Sequence, residues 1–294
     1  MKSAENTARL KMIGAMVIFG TIGIFRKYIP MSSGLIAMAR GLVGVLFLLL
    51  VLAIRRERLS WSAIRQNLWR LLVSGGLIGF NWILLFEAYN YTSVATATLC
   101  YYMAPIFVTL AAPIVLRERL TVRKLILPFV ALFGMVLVSD ILNVGVSDLG
   151  ELRGIVLGLG AAALYASVIL LNKKLCGISA YDRTVMQLTA AFAVLVSYVI
   201  LVEDVTATVF EPVSVGLLLV VGVLHTGIAY AMYFGAMRDL PAQTVAIFSY
   251  IDPVLAVLLS AFFLGEPMGA GVIAGGILIL GAALAGEFRS GKKE

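Results

Sequence analysis

The segment FSYIDPVLAVLLSAFFLGEP, residues 248–267, is an apolar run with Asp252 and Pro253 side by side in it. An earlier segment, CYYMAPIFVTLAAPIVLRER at 100–119, has the same apolar character and a proline, Pro105, at the corresponding place. A proline inside a helix removes one hydrogen-bond donor and bends or breaks the helix. The two segments therefore predict a pair of similar helices, each interrupted near the middle of its span.

The composition of the chain indicates a membrane protein. Of its 294 residues 61% are hydrophobic and 13% are charged, and the mean hydropathy is +1.02. Soluble domains carry about 25% charged residues, and a soluble fold cannot cover so much apolar surface. The sequence therefore predicts an all-α integral membrane protein.

Ten segments are apolar and long enough to be transmembrane helices, which need about 20 residues each. These predicted spans 1 to 10 cover residues 10–28, 34–54, 69–90, 93–116, 122–141, 152–172, 181–202, 213–236, 241–265 and 268–286. The loops between them are short and leave no room for a soluble domain. No A-x-A cleavage site closes the first span, so we expect it to be retained rather than removed as a signal peptide.

The basic residues predict the orientation of the chain, because Lys and Arg collect in cytoplasmic loops. With the N-terminus inside, 19 of the 23 Lys and Arg residues fall in cytoplasmic regions; Arg26, Lys27 and Arg153 lie outside, and Arg40 lies within span 2. This distribution predicts a multi-pass protein of the plasma or inner membrane with both termini in the cytoplasm. The formal net charge of +7 is then a topology signal, and no nucleic-acid partner is expected.

The chain repeats itself at an offset of 148 residues. This offset aligns Tyr102 with Tyr250 and Pro105 with Pro253 without a gap. The similarity is weak residue by residue, but it keeps one order over nearly the whole chain. The sequence therefore predicts an internal duplication.

The duplication predicts two five-helix repeats, residues 1–148 and 149–294. An odd number of spans in each repeat turns the second copy upside down in the bilayer, and the loop charges agree with this inversion. The basic loop RRER at 55–58 corresponds to an acidic region around Glu203. Inverted repeats are typical of secondary transporters, whose sites lie near the midplane between the repeats.

These features resemble the drug/metabolite transporter superfamily in its ten-helix EamA-type branch. The resemblance is carried by TSVATATLCYYMAPIFVTLAAPIVLRERLT (92–121) and LPAQTVAIFSYIDPVLAVLLSAFFLGEPM (240–268), each with a proline and a glutamate 13 residues later. The stretch EAYNYTSVATA (87–97) and Lys173 in LLNKK are also similar to the family. One departure is FGTIG at 19–23, where many relatives have Trp-Gly; we expect it to change an aromatic lining of the site.

The resemblance implies export of amino acids or related small metabolites without ATP and without a cofactor, and the sequence contains no phosphate-binding loop motif. Two other functions stay open: proton-coupled efflux of cationic drugs, held by Glu87 or Asp252, and a non-transporting membrane scaffold with a dry centre. An intramembrane enzyme is not expected. The expected partners are a small-molecule substrate, the lipid bilayer and protons, and the sequence is compatible with a monomer and with a dimer.

Ionisable residues are expensive in a membrane, at about 2.5–3.5 kcal/mol each on insertion scales, and commonly mark a transport path. Asp252 and His225, the one histidine, are both predicted at mid-span and are candidates for exchanging a coupling proton. Pro105 and Pro253 are candidates for gating. The structural alternatives are packing kinks at the prolines, a buried protonated carboxyl at Asp252 and a helix–helix hydrogen bond at His225.

Arg40 in span 2 and Glu87 in span 3 are further intramembrane charges, at predicted depths that permit a salt bridge. The functional alternative is that Arg40 clamps a substrate carboxylate, which a guanidinium group binds in bidentate fashion. Both arrangements are compatible with a transport cycle.

Polar and aromatic side chains gather on the central spans and are predicted to bind substrate together with Arg40 and Glu87. They are Asn81, Trp82, Thr98, Tyr101, Tyr102, Tyr165, Tyr230 and Tyr250. Apolar walls with a few polar groups suit a small amphipathic ligand, and ordinary packing is the alternative. Cys100 and Cys176 are expected to be free thiols, and no metal site is expected because no second histidine is present.

Overall fold

A computed structural model of the protein describes residues 2–92, 97, 100–118, 121–138, 149–203, 210–264 and 269–287. Within these residues the regular secondary structure is helical throughout, which confirms the all-α class. The first five spans contain the helices Lys2–Gly20 and Ile22–Lys27 (span 1), Ser33–Ile54 (span 2), Trp61–Tyr91 (span 3), Ala104–Leu116 (span 4) and Val122–Val138 (span 5). The last five contain Leu149–Lys173 (span 6), Ala180–Val202 (span 7), Pro212–Val220, Val221–Ile228 and Ala229–Met237 (span 8), Ala242–Phe248 and Ile251–Leu264 (span 9) and Ala270–Glu287 (span 10).

Two helices begin more than two turns before their predicted spans. Span 1 begins at Lys2 and span 3 at Trp61, eight residues earlier than predicted in each case. The added turns contain charged residues, including Arg9, which forms a 2.7 Å salt bridge with Glu5 one helical turn away. A span predicted from hydropathy leaves out such charged residues. The backbone hydrogen bonds of a helix do not depend on apolar side chains, so the helix continues past the apolar region.

Five spans are continuous helices that are long and apolar enough to cross a membrane. They are Ser33–Ile54, Trp61–Tyr91, Gly150–Lys173, Ala180–Val202 and Pro212–Met237. Among the described residues, spans 4, 5, 9 and 10 contain shorter apolar helices, and those of spans 4 and 9 contain the prolines of the repeated segments. The chain thus combines long continuous helices with interrupted ones.

Spans 4 and 9 are broken directly before their prolines, as the repeated segments predict. In span 4 the helix resumes at Ala104 after a turn at Tyr102, and Pro105 lies in its first turn. In span 9 the helix Ala242–Phe248 ends and a second helix begins at Ile251. Proline fits the first turn of a helix because the N–H it lacks has no helical partner there. Each proline therefore starts a new helix rather than bending a continuous one.

The break in span 4 releases a backbone carbonyl. The amide of Ile106 donates to the carbonyl of Met103 at 3.0 Å, so the carbonyl of Tyr102 is left without that donor. Inside a bilayer a released backbone group needs a partner from the protein. The hydroxyl of Tyr250, at the break in span 9, donates to the Tyr102 carbonyl at 2.9 Å.

Span 8 contains a feature that the sequence analysis does not predict. Its middle segment, Val221–Ile228, is a π-helix, which adds a residue to the turn and is frequent at functional sites. Span 2 packs closely against this segment. A Cβ atom at Gly44 would lie 2.9 Å from the methyl carbon of Thr226, and one at Gly227 would lie 2.6 Å from the ring of Phe47. Glycines on both spans thus allow the close approach.

The two repeats interlock. Span 3 packs along spans 6 and 7, span 2 along spans 7 and 8, span 1 along spans 8 and 9, and span 5 along span 10. The largest core cluster accordingly contains buried residues of both repeats, including Trp82, Val108, Tyr233 and Phe248. Any site near the centre is therefore enclosed by helices of both repeats.

The contact between spans 3 and 7 generates a stability prediction. A Cβ atom at Gly75 would lie 2.5 Å from the carbonyl oxygen of Gln187 and 2.7 Å from Cβ of Ala190, whereas one at the neighbouring Gly76 would meet nothing within 4 Å. We expect Gly75→Ala to cost about 1–3 kcal/mol of stability, since backbone must move to relieve overpacking. Gly76→Ala should be neutral or stabilising, because alanine favours helix. The apparent melting temperatures of the purified variants in detergent measure the difference, and equal values would contradict the close packing of spans 3 and 7.

Candidate functional site

A cavity of about 370 Å³ lies between the two repeats and is lined by residues of spans 1, 2, 3, 4, 6, 8 and 9. Its wall includes seven of the predicted site residues. They are Arg40, Trp82, Tyr101, Tyr102, Tyr165, Tyr230 and Asp252. The cavity has a size and a mainly apolar lining typical of small-molecule sites.

Aromatic side chains make up half of the residues that line the cavity. The ring of Tyr101 stacks on that of Tyr165 with centroids 5.5 Å apart, and Tyr230 meets Trp82 edge to face at 6.1 Å. Phe19 packs edge to face against Tyr230 at 5.1 Å. Such offset and perpendicular contacts are the favourable geometries for aromatic pairs, so the wall is fixed by its own packing.

Arg40 carries the positive charge of the cavity. The central carbon of its guanidinium group lies 4.1 Å from the centroid of the Trp82 ring, a cation–π contact. Its Nε atom is buried and has no hydrogen-bond partner among the described residues, and the described salt bridges do not include Arg40. The guanidinium group is therefore held by a ring face and keeps its donors available.

Glu87 lies away from the predicted salt bridge with Arg40. Its carboxylate accepts hydrogen bonds from the hydroxyl of Tyr198 in span 7 and from Nδ2 of Asn90 at 3.3 Å. Glu87 is not among the residues that line the cavity. The predicted salt bridge between Arg40 and Glu87 is therefore wrong. The predicted depths of Arg40 and Glu87 permit a salt bridge, but the rotation of span 3 turns Glu87 toward Tyr198 of span 7.

Asp252 lines the cavity from the first turn of the second helix of span 9. The hydroxyl of Tyr102 lies within hydrogen-bonding reach of its carboxyl group. No described salt bridge involves Asp252. The cavity thus contains one basic and one acidic side chain that are not paired with each other.

His225 lies in the π-helical segment of span 8 and is buried. Its Nε2 is 2.8 Å from the hydroxyl oxygen of Thr21, and its ring meets that of Phe25 edge to face at 5.0 Å. The Thr21 hydroxyl donates to the carbonyl of Ile18 at 2.7 Å, so its hydrogen is already used. Nε2 must therefore carry the hydrogen that Thr21 accepts. Nδ1 is buried without a partner among the described residues, and no described contact joins His225 to Asp252.

The other predicted site residues have structural contacts. Asn81 is buried and donates from Nδ2 to the carbonyl of Ala161 at 2.6 Å, beside a small pocket of about 20 Å³ next to the cavity. Tyr250 is buried, and its hydroxyl is used at the break in span 4. Pro105 and Pro253 are buried at the helix starts. Thr98 lies outside the described residues.

Several aromatic lining residues are absent from the predicted set. Phe86 and Tyr89 line the cavity together with Trp82, and the spacing of these three residues places them on one helical face. Tyr233, which the sequence places with Tyr230 on span 8, also lines the cavity, and its hydroxyl is 2.5 Å from that of Tyr165. Helical spacing from each predicted aromatic residue is the signal that identifies these neighbours.

The end of the bundle away from the cavity is closed. The ammonium group of Lys173 donates to the carbonyls of Met237 at 3.0 Å and Leu240 at 2.7 Å, and the amide of Ala242 donates to Glu118 at 3.1 Å. A cation at the end of span 8 and an anion at the start of span 9 complement the helix dipoles. We call this region the closed end.

A family model described as the EamA-like transporter family matches the chain twice, over residues 7–140 and 152–285. The chain belongs to this family. Over 268 residues this EamA-like transporter is 31% identical to an uncharacterized transporter, YxxF, of Bacillus subtilis (strain 168), covering 89% of this chain and 83% of that protein. It is 27% identical over 272 residues to the protein RarD of Escherichia coli (strain K12), covering 89% and 87% of the two chains.

A solved crystal structure shares the fold of this EamA-like transporter. The TM-score is 0.85 at 19% identity, and the match covers 95% of this chain and 97% of that chain. The two family matches confirm the resemblance to drug/metabolite transporters, and the solved structure shows the shared fold. The protein is a multi-pass membrane transporter with two inverted repeats.

The contact between Thr21 and His225 generates a spectroscopic prediction. Because the chain contains one histidine, ¹⁵N-histidine labelling of an untagged protein gives the signals of a single imidazole. We expect a proton on Nε2, because Thr21 can only accept there. Thr21→Val should shift the Nε2 resonance, whereas Thr21→Ser should preserve it. A hydrogen on Nδ1 with a bare Nε2 would contradict the assigned contact.

Proposed function

We propose that this EamA-like transporter exports amino acids or closely related zwitterionic metabolites across the cell membrane by alternating access. The observation that carries the proposal is that Arg40 and Asp252 line one cavity, while neither forms a described salt bridge. Charges are costly in a membrane unless they are paired or serve a ligand. A zwitterion supplies one partner to each of them.

Arg40 is the site for the substrate carboxylate. A guanidinium group offers donors in a planar fork that matches both oxygens of a carboxylate. The cation–π contact with Trp82 at 4.1 Å orients the guanidinium plane without using its hydrogen-bond donors. The guanidinium donors of Arg40 are therefore already oriented before a substrate carboxylate binds.

Asp252 is the site for the substrate ammonium group. Its carboxylate is an acceptor that lines the cavity, with the Tyr102 hydroxyl beside it. Charge-assisted hydrogen bonds of this kind are roughly twice as strong as neutral ones. The two ends of an α-amino acid are thus bound by side chains from opposite repeats.

The size and lining of the cavity fit this ligand class. A volume of about 370 Å³ corresponds to about a dozen waters at roughly 30 Å³ each, which accommodates one amino acid together with some water. The aromatic wall, including Tyr101 and Tyr165, provides apolar contact for the substrate side chain.

Alternating access is supported by the asymmetry between equivalent positions. At the 148-residue offset, the lining residues Phe86 and Tyr89 correspond to Phe234 and Met237, which are fully buried, and Met237 accepts a hydrogen bond at the closed end. Exchange of the conformations of inverted repeats would bury the first pair and expose the second. With both termini in the cytoplasm, as the basic loops predict, the present cavity lies in the outer half.

The other function classes fit these observations less well. A cationic drug would be attracted by Asp252 but repelled by Arg40 in the same cavity. A scaffold would have a dry apolar centre, which does not agree with a cavity lined by both charges. For an enzyme, His225 has the hydroxyl of Thr21 as its hydrogen-bonding partner, and that hydroxyl is itself bound to a backbone carbonyl. Transport of a zwitterion accounts for more of the site.

Binding measurements on chemically trimmed ligands test the two charge contacts. A pool of labelled L-amino acids identifies a ligand, which is compared with its amine lacking the carboxylate and its acid lacking the amine. Arg40→Gln should weaken amino-acid binding about 10- to 100-fold, the value of one charged hydrogen-bonding partner, and leave the amine analogue unaffected. Asp252→Asn should also weaken amino-acid binding but leave binding of the acid analogue, which lacks the amine, unaffected.

Exposed charges provide the matched controls for these variants. Arg55 and Glu57 form an exposed pair in the loop after span 2, and Arg55→Gln and Glu57→Gln should bind as the parent protein does. If Glu87→Gln weakened binding as strongly as Asp252→Asn, the assignment of Asp252 as the ammonium site would be wrong.

Transport into liposomes tests the coupling role proposed for Asp252 and His225. We expect an amino acid from the pool to accumulate when a pH gradient is imposed, and this accumulation to be lost in Asp252→Asn and His225→Ala. If the amino acid equilibrated across the membrane independently of the pH gradient, the protein would still be a transporter, but proton coupling would be excluded. Movement of organic cations in place of amino acids would favour drug efflux.

A further inference from the structure

The breaks of spans 4 and 9 meet at two equivalent tyrosines. Tyr250 is fully buried and donates from its hydroxyl to the carbonyl of Tyr102 at 2.9 Å, and the two rings lie 6.0 Å apart at 30°. At the 148-residue offset these two residues correspond to each other. The hydrogen bond therefore joins two symmetry-related positions, but it runs in one direction.

An exchange of conformations between the two repeats would give a second state of the molecule and reverse this bond. In alternating access by inverted repeats, each repeat takes up the conformation of the other. The contact from the Tyr250 hydroxyl to the Tyr102 carbonyl then becomes a contact from the Tyr102 hydroxyl to the Tyr250 carbonyl. In the present state Tyr102 and Asp252 line the same cavity, with the Tyr102 hydroxyl within hydrogen-bonding reach of the Asp252 carboxyl group.

The two copies differ at the acidic position. Asp252 corresponds to Ala104, so a carboxylate competes for the hydroxyl of Tyr102 but not for that of Tyr250. A carboxylate that binds an ammonium group or a proton is a weaker acceptor for a further donor. Occupation of Asp252 thus frees the Tyr102 hydroxyl.

We propose that Tyr102 is a positioning residue that couples occupation of Asp252 to the change of state. Its hydroxyl exchanges between the Asp252 carboxylate and the Tyr250 carbonyl, while the Tyr250 hydroxyl holds the present state through the Tyr102 carbonyl. This inference rests on the alternating-access part of the proposed function and is independent of the identity of the substrate.

Thiol labelling at two equivalent positions reports the state. Ile36 lines the cavity, and its counterpart at the 148-residue offset, Thr184, is fully buried. Ile36→Cys and Thr184→Cys are made separately in a background with Cys100→Ala and Cys176→Ala. A water-soluble methanethiosulfonate reagent then labels each purified protein in nanodiscs, without any substrate. Labelling at position 184 measures the population of the second state.

Removing the Tyr250 hydroxyl should favour the second state. We expect Tyr250→Phe to raise the labelling rate at position 184 about fivefold, the effect of one hydrogen bond, and not to raise it at position 36. The exposed Tyr28 supplies the control, because Tyr28→Phe removes a hydroxyl from the surface. An increase at both reporter positions would indicate general loosening and would overturn the assignment, as would no increase over Tyr28→Phe.

A double-mutant cycle tests the coupling itself. Asp252→Asn should raise labelling at position 184 about five- to tenfold, because a neutral amide holds the Tyr102 hydroxyl less strongly than a carboxylate. In a Tyr102→Phe background the same substitution should have no effect. If Asp252→Asn raised the labelling rate at position 184 equally in both backgrounds, the proposal would be wrong. The labelling experiment contains no substrate, so its result does not depend on whether the protein binds amino acids. The proposed role of Tyr102 and the proposed substrate class can therefore be refuted independently.

Discussion

A backbone group that leaves its helix within a membrane must find a partner inside the protein, because lipid offers none. This constraint governs the centre of the molecule. The prolines of spans 4 and 9 start new helices, and the carbonyl of Tyr102 is one of the groups released. The hydroxyl of Tyr250 satisfies it from the other repeat. A side chain at the break in one repeat therefore satisfies the backbone group released at the break in the other repeat.

Much of this arrangement follows from the sequence, because duplication and membrane energetics leave few alternatives. The repeated proline predicts both breaks, and the rarity of intramembrane charge identifies Arg40 and Asp252 as residues of the site. Both line the cavity with Trp82. Depth along a span can be counted from residue number, so the sequence can bring Arg40 and Asp252 to one level of the membrane; their role in binding substrate stays a prediction.

Rotation about the helix axis is what the sequence does not determine. Glu87 has the right depth to meet Arg40, but it faces span 7 and binds Tyr198. His225 has the right depth to meet Asp252, but it contacts Thr21. The π-helical segment of span 8 shifts the rotation of the residues around it, and hydropathy contains no sign of it. Pairings between residues at equal depth therefore require the packed structure.

The opposite charges of Arg40 and Asp252 have an electrical consequence. A cavity that contains one of each and holds a zwitterion carries no net charge, whether it is empty or filled. A membrane potential does work of about 2.3 kcal/mol per elementary charge for each 100 mV, and it does none on a neutral load moving between neutral states. Voltage then drives the cycle only through protons that move with or against the substrate, so the stoichiometry of those protons decides whether the carrier is electrogenic.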